Sequence, residues 1–205
     1  MGIIDYKRVD FSNYLDAIRL QKSIFPLEDG SYNILESIDI NLFKKIAKID
    51  NEFEFLEYYL MYVNDEVVGI SGLYQIPDFS DEIWLGWFGI DKSYRRKGYG
   101  KKLLNWTIEK AKKMNMKVLR LYTDFNDNAN AVKLYEKIGF IGEKYLAEDL
   151  NYDCRIYTLP LEGTSFDLWN NRYAGVLEYE DMENSLDKEE VIKSYRDYVE
   201  KIYKF

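Results

Sequence analysis

The segment DKSYRRKGYGKKLLNW, residues 91–106, closes an apolar run and opens a helical one, and its reading decides the fold. Before it, EIWLGWFGI (82–90) is too apolar and too aromatic for an exposed edge and reads as a central strand. After it, Leu103, Leu104, Thr107, Ile108, Ala111 and Met114 fall on one side of a helix, with lysines on the other. Between the two, Gly98 and Gly100 free the backbone to turn, so that unpaired N–H groups and a helix N-terminus converge on one spot. In physical terms that junction suits a pyrophosphate. Arg95, Arg96, Lys97, Lys101 and Lys102 add positive potential around it. An isolated Gly-x-Gly is also compatible with a plain solvated helix start.

The rest of the chain makes this concentration of cations unusual. Its 205 residues carry a net charge of -8, so the long-range field repels nucleic acid and anionic lipid, and neither is an expected partner. Any bound anion must be held locally. Histidine is absent, which removes Ser-His-Asp hydrolysis, Cys-His catalysis and His-ligated zinc, and leaves acid and base work to Tyr, Asp, Glu, Lys or water. Cys154 is the only cysteine and reads as strand packing; no disulfide framework or metal site is expected, which fits a reducing, cytoplasmic setting. No early apolar run resembles a signal peptide or membrane span, and Tyr6 stands where a myristoylation pattern wants Ser or Thr.

Working outward, GIIDYKRVDF (2–11) reads as a first strand, and a helix from Tyr14 is stopped by Pro26. LEDGSYNILES (27–37) reads as a loop, followed by a second amphipathic helix marked by Leu42, Phe43, Ile46 and Ile49. Residues 55–76 form the clearest hairpin, turning at Asn64, Asp65 and Glu66. KVLRLYT (117–123) is the strand after the long helix. Ala131, Leu134, Tyr135 and Ile138 then mark a short helix ended by Gly139. FIGEKYLAE and YDCRIYTLPL close the sheet. Beyond residue 162 no period is sustained until residues 187–203, where Val191, Ile192, Tyr195, Val199 and Ile202 form the stripe of a final helix.

Two familiar phosphate motifs fail: Leu103 stands where a dinucleotide fingerprint needs its third glycine, and Lys102 where a Walker loop needs Ser or Thr. The run Arg95-Arg96-Lys97-Gly98-Tyr99-Gly100 instead resembles the Arg/Gln-x-x-Gly-x-Gly/Ala signature of the GCN5-related N-acetyltransferase (GNAT) family. Asn128-x-x-Ala131-x-x-Leu134-Tyr135-Glu136-Lys137-x-Gly139-Phe140 is similar to that family's second motif. The resemblance covers residues 3–161 and implies an α/β (α+β) fold: a mixed central sheet of about seven strands, splayed between the fourth and fifth and flanked by helices. It divides the chain into an acetyltransferase domain, 1–161, and a C-terminal extension, 162–205, ending in the amphipathic helix.

The resemblance further implies acetyl-coenzyme A as acyl donor and direct attack on it by a neutral amine. Gly86 and Gly89 would suit a bulge that parts the strands, or close packing against aromatic neighbours. Phe88, Gly89 and Ile90 would meet the pantetheine arm, and the amides of Arg96, Lys97, Gly98, Tyr99, Gly100 and Lys101, beside Arg95, the pyrophosphate. Asn128 and Ala131 would complete the cofactor site, Asn128 by bonding pantetheine or capping its helix. Tyr135 matches the family's acid, although it also lies on its helix's apolar stripe and could be core. For the base, Trp84 occupies the place nearest the family's glutamate; Glu82, on the same strand face, is the candidate, with Glu57, Asp124 or a water chain behind it. Trp84 and Trp87 would line the acceptor pocket, and aromatic walls favour a cationic small-molecule amine. A peptide acceptor, a non-catalytic acyl-coenzyme A module and a homodimer stay open as alternatives.

Overall fold

In this computed structural model the described residues are 2–28, 30–48, 53–77, 79–125, 128–145, 154–161, 163, 166–169, 190, 193, 194 and 197. The strands are β1 (Ile4–Arg8), β2 (Phe55–Val63), β3 (Glu66–Gln75), β4 (Glu82–Ile90), β5 (Val118–Asp124), β6 (Ile141–Lys144) and β7 (Cys154–Pro160). They form one sheet in the order β1-β2-β3-β4-β5-β7-β6. Only β4 and β5 run parallel, so the sheet is mixed, as the family resemblance implies. The β2–β3 turn places Asn64 and Asp65 at φ +51° and +66°, the conformation that a two-residue hairpin asks of its central residues.

The helices are α1 (Tyr14–Ile24), α2 (Ser31–Ile38), α3 (Ile40–Ile46), α4 (Tyr99–Lys113) and α5 (Ala129–Ile138). Asp39 starts α3, its carboxylate accepting from the N–H groups of Asn41 and Leu42. Gly139 ends α5 at φ +111°, as expected of a left-handed cap. Helix α2 corrects the loop expected over 27–37. Its buried side is partly polar, with Ser31, Asn33, Glu36 and Ser37 inside together with Ile34 and Leu35, so the apolar period that announces a helix is missing. No helix among the described residues is long and apolar enough to cross a membrane.

Helices α1–α3 cover one face of β1–β4, where Leu20, Leu35, Leu42, Tyr58, Leu60 and Ile70 share a core. Helices α4 and α5 cover the opposite face over β4, β5 and β7, burying Leu104, Ile108, Leu119, Leu121, Tyr135 and Tyr157. Thr107 of α4 and Ser71 of β3 share a buried hydrogen bond of 2.9 Å. Cys154 is buried in β7, packed as a small apolar residue.

The first face of β4, β5 and β7 is closed by a piece of the region after β7. Trp169 is buried against Trp84 in an edge-to-face pair, with ring centroids 5.2 Å apart, and its main-chain N–H donates to Glu143 Oε2 at 2.6 Å. Beneath it lies Arg120, fully buried and with every edge of its guanidinium occupied. It donates to both carboxylate oxygens of Glu82 at 2.7 and 3.0 Å, to Thr158 Oγ1 at 2.5 Å and to the Asp167 carbonyl at 2.8 Å. Of the expected final helix, Glu190, Lys193, Ser194 and Asp197 are helical and exposed; its stripe of Val191, Ile192, Tyr195, Val199 and Ile202 lies outside the described residues.

A buried carboxylate stripped of its guanidinium partner is costly, so Arg120→Met should lower stability by about 3–5 kcal/mol in chemical denaturation. The double change Glu82→Met with Arg120→Met should recover most of that loss; equal stability of the single variant and wild type would contradict the clamp.

Candidate active site

The β4–β5 ladder has three pairs, Glu82 with Val118, Ile83 with Leu119 and Trp84 with Arg120, and then ends. The cause is on the other side of β4. Along β3 the pairing advances two residues, from Ile70 to Gly72, while along β4 it takes three, from Gly89 back to Gly86. One extra residue therefore sits in β4, a bulge that bends the strand away from β5. Trp87 lies within it at φ +24°, a conformation that a bulky side chain adopts only under constraint. Both flanking glycines are close to neighbours: a β-carbon at Gly89 would lie 2.6 Å from Ile24 Cγ2, and one at Gly86 3.3 Å from Tyr74 Cδ1. Bulge and close packing, the two readings of these glycines, coexist.

At the end of β4 a 3-10 turn, Lys92–Tyr94, leads into the glycine turn. Arg96 and Gly98 adopt φ +60° and +82°, which curls the amides inward as an anion nest. Gly98 is the N-cap of α4, and the helix start has no side-chain cap, so its first N–H groups face outward. A β-carbon on Gly98 would meet no atom within 4 Å, so an anion has room against bare main chain. The cations divide their work. Arg95 Nε donates to the Ile90 carbonyl at 2.8 Å and Lys97 Nζ to the Ser93 carbonyl at 2.9 Å, bracing the loop, while Arg96 and Lys101 stand exposed beside it. A β-carbon on Gly100 would lie 3.6 Å from Leu134 Cδ2 and 3.8 Å from Ile90 Cγ1, so the turn, the end of β4 and α5 come together there.

Tyr135 is buried on α5, its ring 6.1 Å from that of Phe88 in the bulge and 5.7 and 6.0 Å from those of Phe140 and Tyr157. It is thus both a core residue and a neighbour of the opening. Burial pushes its phenol pKa well above the ordinary value, because the phenolate would lose its hydration. Asn128 is the N-cap of α5 by position, but its side chain makes no capping bond and is exposed. Ala131 is half-buried on the same helix.

Two expected site residues fall elsewhere. Trp84 is wholly buried between Tyr74 and Trp169, so it is core and not a pocket wall; the segment that covers it lies eighty-odd residues downstream, beyond local inference. Glu82 stands at the paired end of β4, where Arg120 engages both of its oxygens. Glu57 is likewise engaged, by Arg8 at 3.2 Å and by the Tyr59 hydroxyl. Trp87 remains at the opening: it is half-buried, edge-on to Phe25 at 5.1 Å, and donates from Nε1 to Asn33 Oδ1 at 3.4 Å. No local signal announces Arg120, because an Arg flanked by leucines in a strand reads as an outward position.

A sequence profile of the Acetyltransferase (GNAT) family matches residues 18–140. A probable spermine N(1)-acetyltransferase of Bacillus subtilis subsp. natto is 31% identical over 104 residues, covering 44% of this chain and 68% of the relative. The ribosomal-protein-S18-alanine N-acetyltransferase of Escherichia coli superposes with a TM-score of 0.57 at 20% identity, covering 82% of this chain and 99% of the other. Spermidine N-acetyltransferase from Vibrio cholerae, solved with CoA and spermine, gives 0.56 at 15% identity, over 77% and 95%. At these identities the two structures speak for the fold.

Gly98→Val puts a branched side chain at positive φ, at a strain of about 1–2 kcal/mol, and fills the open face of the nest. Isothermal titration should then show acetyl-coenzyme A binding weakened by at least about tenfold, a loss of 1.4 kcal/mol, with ATP as the control ligand. Undiminished binding would make the turn purely structural.

Proposed function

The chain belongs to the Acetyltransferase (GNAT) family of acetyl-coenzyme A-dependent N-acetyltransferases, and on that premise we propose that it acetylates a primary amine of a small linear polyamine, with Tyr135 as proton donor. The observation that carries the assignment of the site is the junction of three elements: the bulged end of β4, the open nest before α4, and Tyr135 on α5 against Phe88. The polyamine class is supported by the kinship with spermine acetyltransferases and by the aromatic setting of Trp87.

Acetyl-coenzyme A, when bound, supplies the acetyl group as a thioester. Phe88, Gly89 and Ile90 offer main-chain polar groups where β4 has left β5, a strand edge inside a sheet that an amide-bearing arm can pair with. The nest and first turn of α4, with Arg96 and Lys101, hold the pyrophosphate charge. Asn128 and Ala131, in the first turn of the helix that carries Tyr135, would complete the cofactor site, and an N–H near Ile90 would serve the developing oxyanion. Tyr135 keeps its proton on Oη for the departing sulfur, since desolvation disfavours the phenolate. With Glu82 and Glu57 engaged elsewhere, the acceptor amine sheds its proton to water.

Titration with acetyl-coenzyme A, then turnover with spermine, spermidine and a peptide amino terminus, tests this reading. Binding together with acetylation of the polyamines is expected; no binding by folded protein would overturn it. Tyr135→Phe should lower kcat by about 10²-fold while leaving the affinity for acetyl-coenzyme A nearly unchanged. The sign of the pH dependence follows from the raised phenol pKa: the donor form persists as pH rises, while the acceptor amine is progressively deprotonated. Accordingly kcat/KM should climb from pH 6 and show no downturn from the phenol up to about pH 10.

A further inference from the structure

We infer that Trp169 is a positioning residue for acetyl transfer: by bracing the last paired residues of β4 and β5, it fixes the angle at which the two strands part. The inference rests on the reading above that acetyl-coenzyme A lies where they part. The groups assigned to the cofactor stand on two arms. Phe88–Ile90 and the glycine turn continue from β4, whereas Tyr135 and the first turn of α5 follow β5. The Phe88 and Tyr135 rings, 6.1 Å apart between centroids, meet across the two arms. The strands pair with each other only from Glu82 with Val118 to Trp84 with Arg120, so that short ladder is the hinge on which the arms are set.

Trp169 sits on this hinge. Its ring packs edge-on to Trp84 at 5.2 Å and lies 5.6 Å from the Arg120 guanidinium carbon, so it meets both members of the last pair. The main chain beside it is tied to the same place, because the Asp167 carbonyl accepts from Arg120 Nη2 at 2.8 Å. The Trp169 main-chain N–H donates to Glu143 Oε2, which anchors the segment to β6 as well. Arg120 reaches back to both oxygens of Glu82, at the first pair of the ladder. A single ring, 1% exposed, thus joins three strands at the boundary between paired and parted sheet. Its leverage is large. Trp84 and Ile90 are separated by about 20 Å of strand, so a tilt of about 3° at the hinge moves the end of β4 by about 1 Å. A misplacement of about 1 Å at the reacting atoms can cost about 10²-fold in rate.

The test is titration with acetyl-coenzyme A, steady-state kinetics and amide hydrogen exchange of the full chain and three variants. Trp169→Ala should weaken acetyl-coenzyme A binding about tenfold and lower kcat. In the same variant the amides of residues 82–84 and 118–120 should exchange faster, while those of the β2–β3 hairpin keep their wild-type rates. A loss of overall stability alone would speed both sets together. Trp169→Phe keeps a ring face toward Arg120 and should bind within about threefold of wild type. Trp169→Leu, which fills space without a ring, should fall between the two and carries the test if Trp169→Ala does not fold. If the wild type binds acetyl-coenzyme A and the folded Ala or Leu variant binds it equally well, the positioning role is refuted and the cofactor reading stands. Exchange that rises equally in ladder and hairpin refutes it too. If the folded wild type binds no acetyl-coenzyme A, the cofactor reading falls and takes the inference with it.

Discussion

Three paired residues hold β4 to β5, and everything that follows in this molecule depends on that ladder being so short. A central sheet that parted completely would expose two rows of unsatisfied backbone groups, and one that stayed paired would have no opening. The extra residue at Trp87 parts the strands, and the Glu82–Arg120 pair stops the parting from running down the sheet. A buried ion pair is an expensive way to join two strands, since both charges must leave water. Here its desolvation is offset by the Thr158 hydroxyl and the Asp167 carbonyl, which take two further guanidinium hydrogens, and by the Trp169 ring, 5.6 Å from the guanidinium carbon.

The glycine turn answers a different problem, how a chain of net charge -8 attracts a polyanion. Long-range attraction is unavailable, so the turn relies on contact distance. Amides curled inward by two positive-φ residues, an uncapped helix start and a face with no side chain let the anion come close enough for local dipoles to outweigh the distant field. The same net charge would favour a cationic acceptor over an anionic one.

Much of this could be read in the residues. The turn and helix at 98–113, the hairpin of β2 and β3, the extent of β4 and the helix carrying Tyr135 all follow from local rules of periodicity, turn chemistry and capping. The misreadings share one physical origin, that local pattern reports the face a residue shows to water only when polar residues stay outside. Helix α2 buries Asn33 and Glu36, so its period was masked. Trp84, aromatic and central, suited a pocket until Trp169 covered it, and Glu82 suited a base until Arg120 arrived from another strand. Neither partner is near in sequence, and nothing in the spacing of residues 82–84 points to them.

The insertion of β7 between β5 and β6 also governs the order in which the molecule can be made. As the chain is synthesised, β5 emerges with only the brief β4 contact on one side and its other edge bare; Val118 waits for Pro160, and Asp124 for Cys154. Until then Leu119 and Leu121 can be covered by α4, but the opposite face, with Arg120, has neither Thr158 nor Trp169 to seal it. A nascent chain paused in this interval offers an unpaired strand edge next to an uncompensated charge, the kind of intermediate that pairs with its neighbours on a crowded polysome. Folding of the opening is therefore completed only after β7 and Trp169 have emerged, and the half of the protein that carries the glycine turn depends for its closure on residues translated well after it.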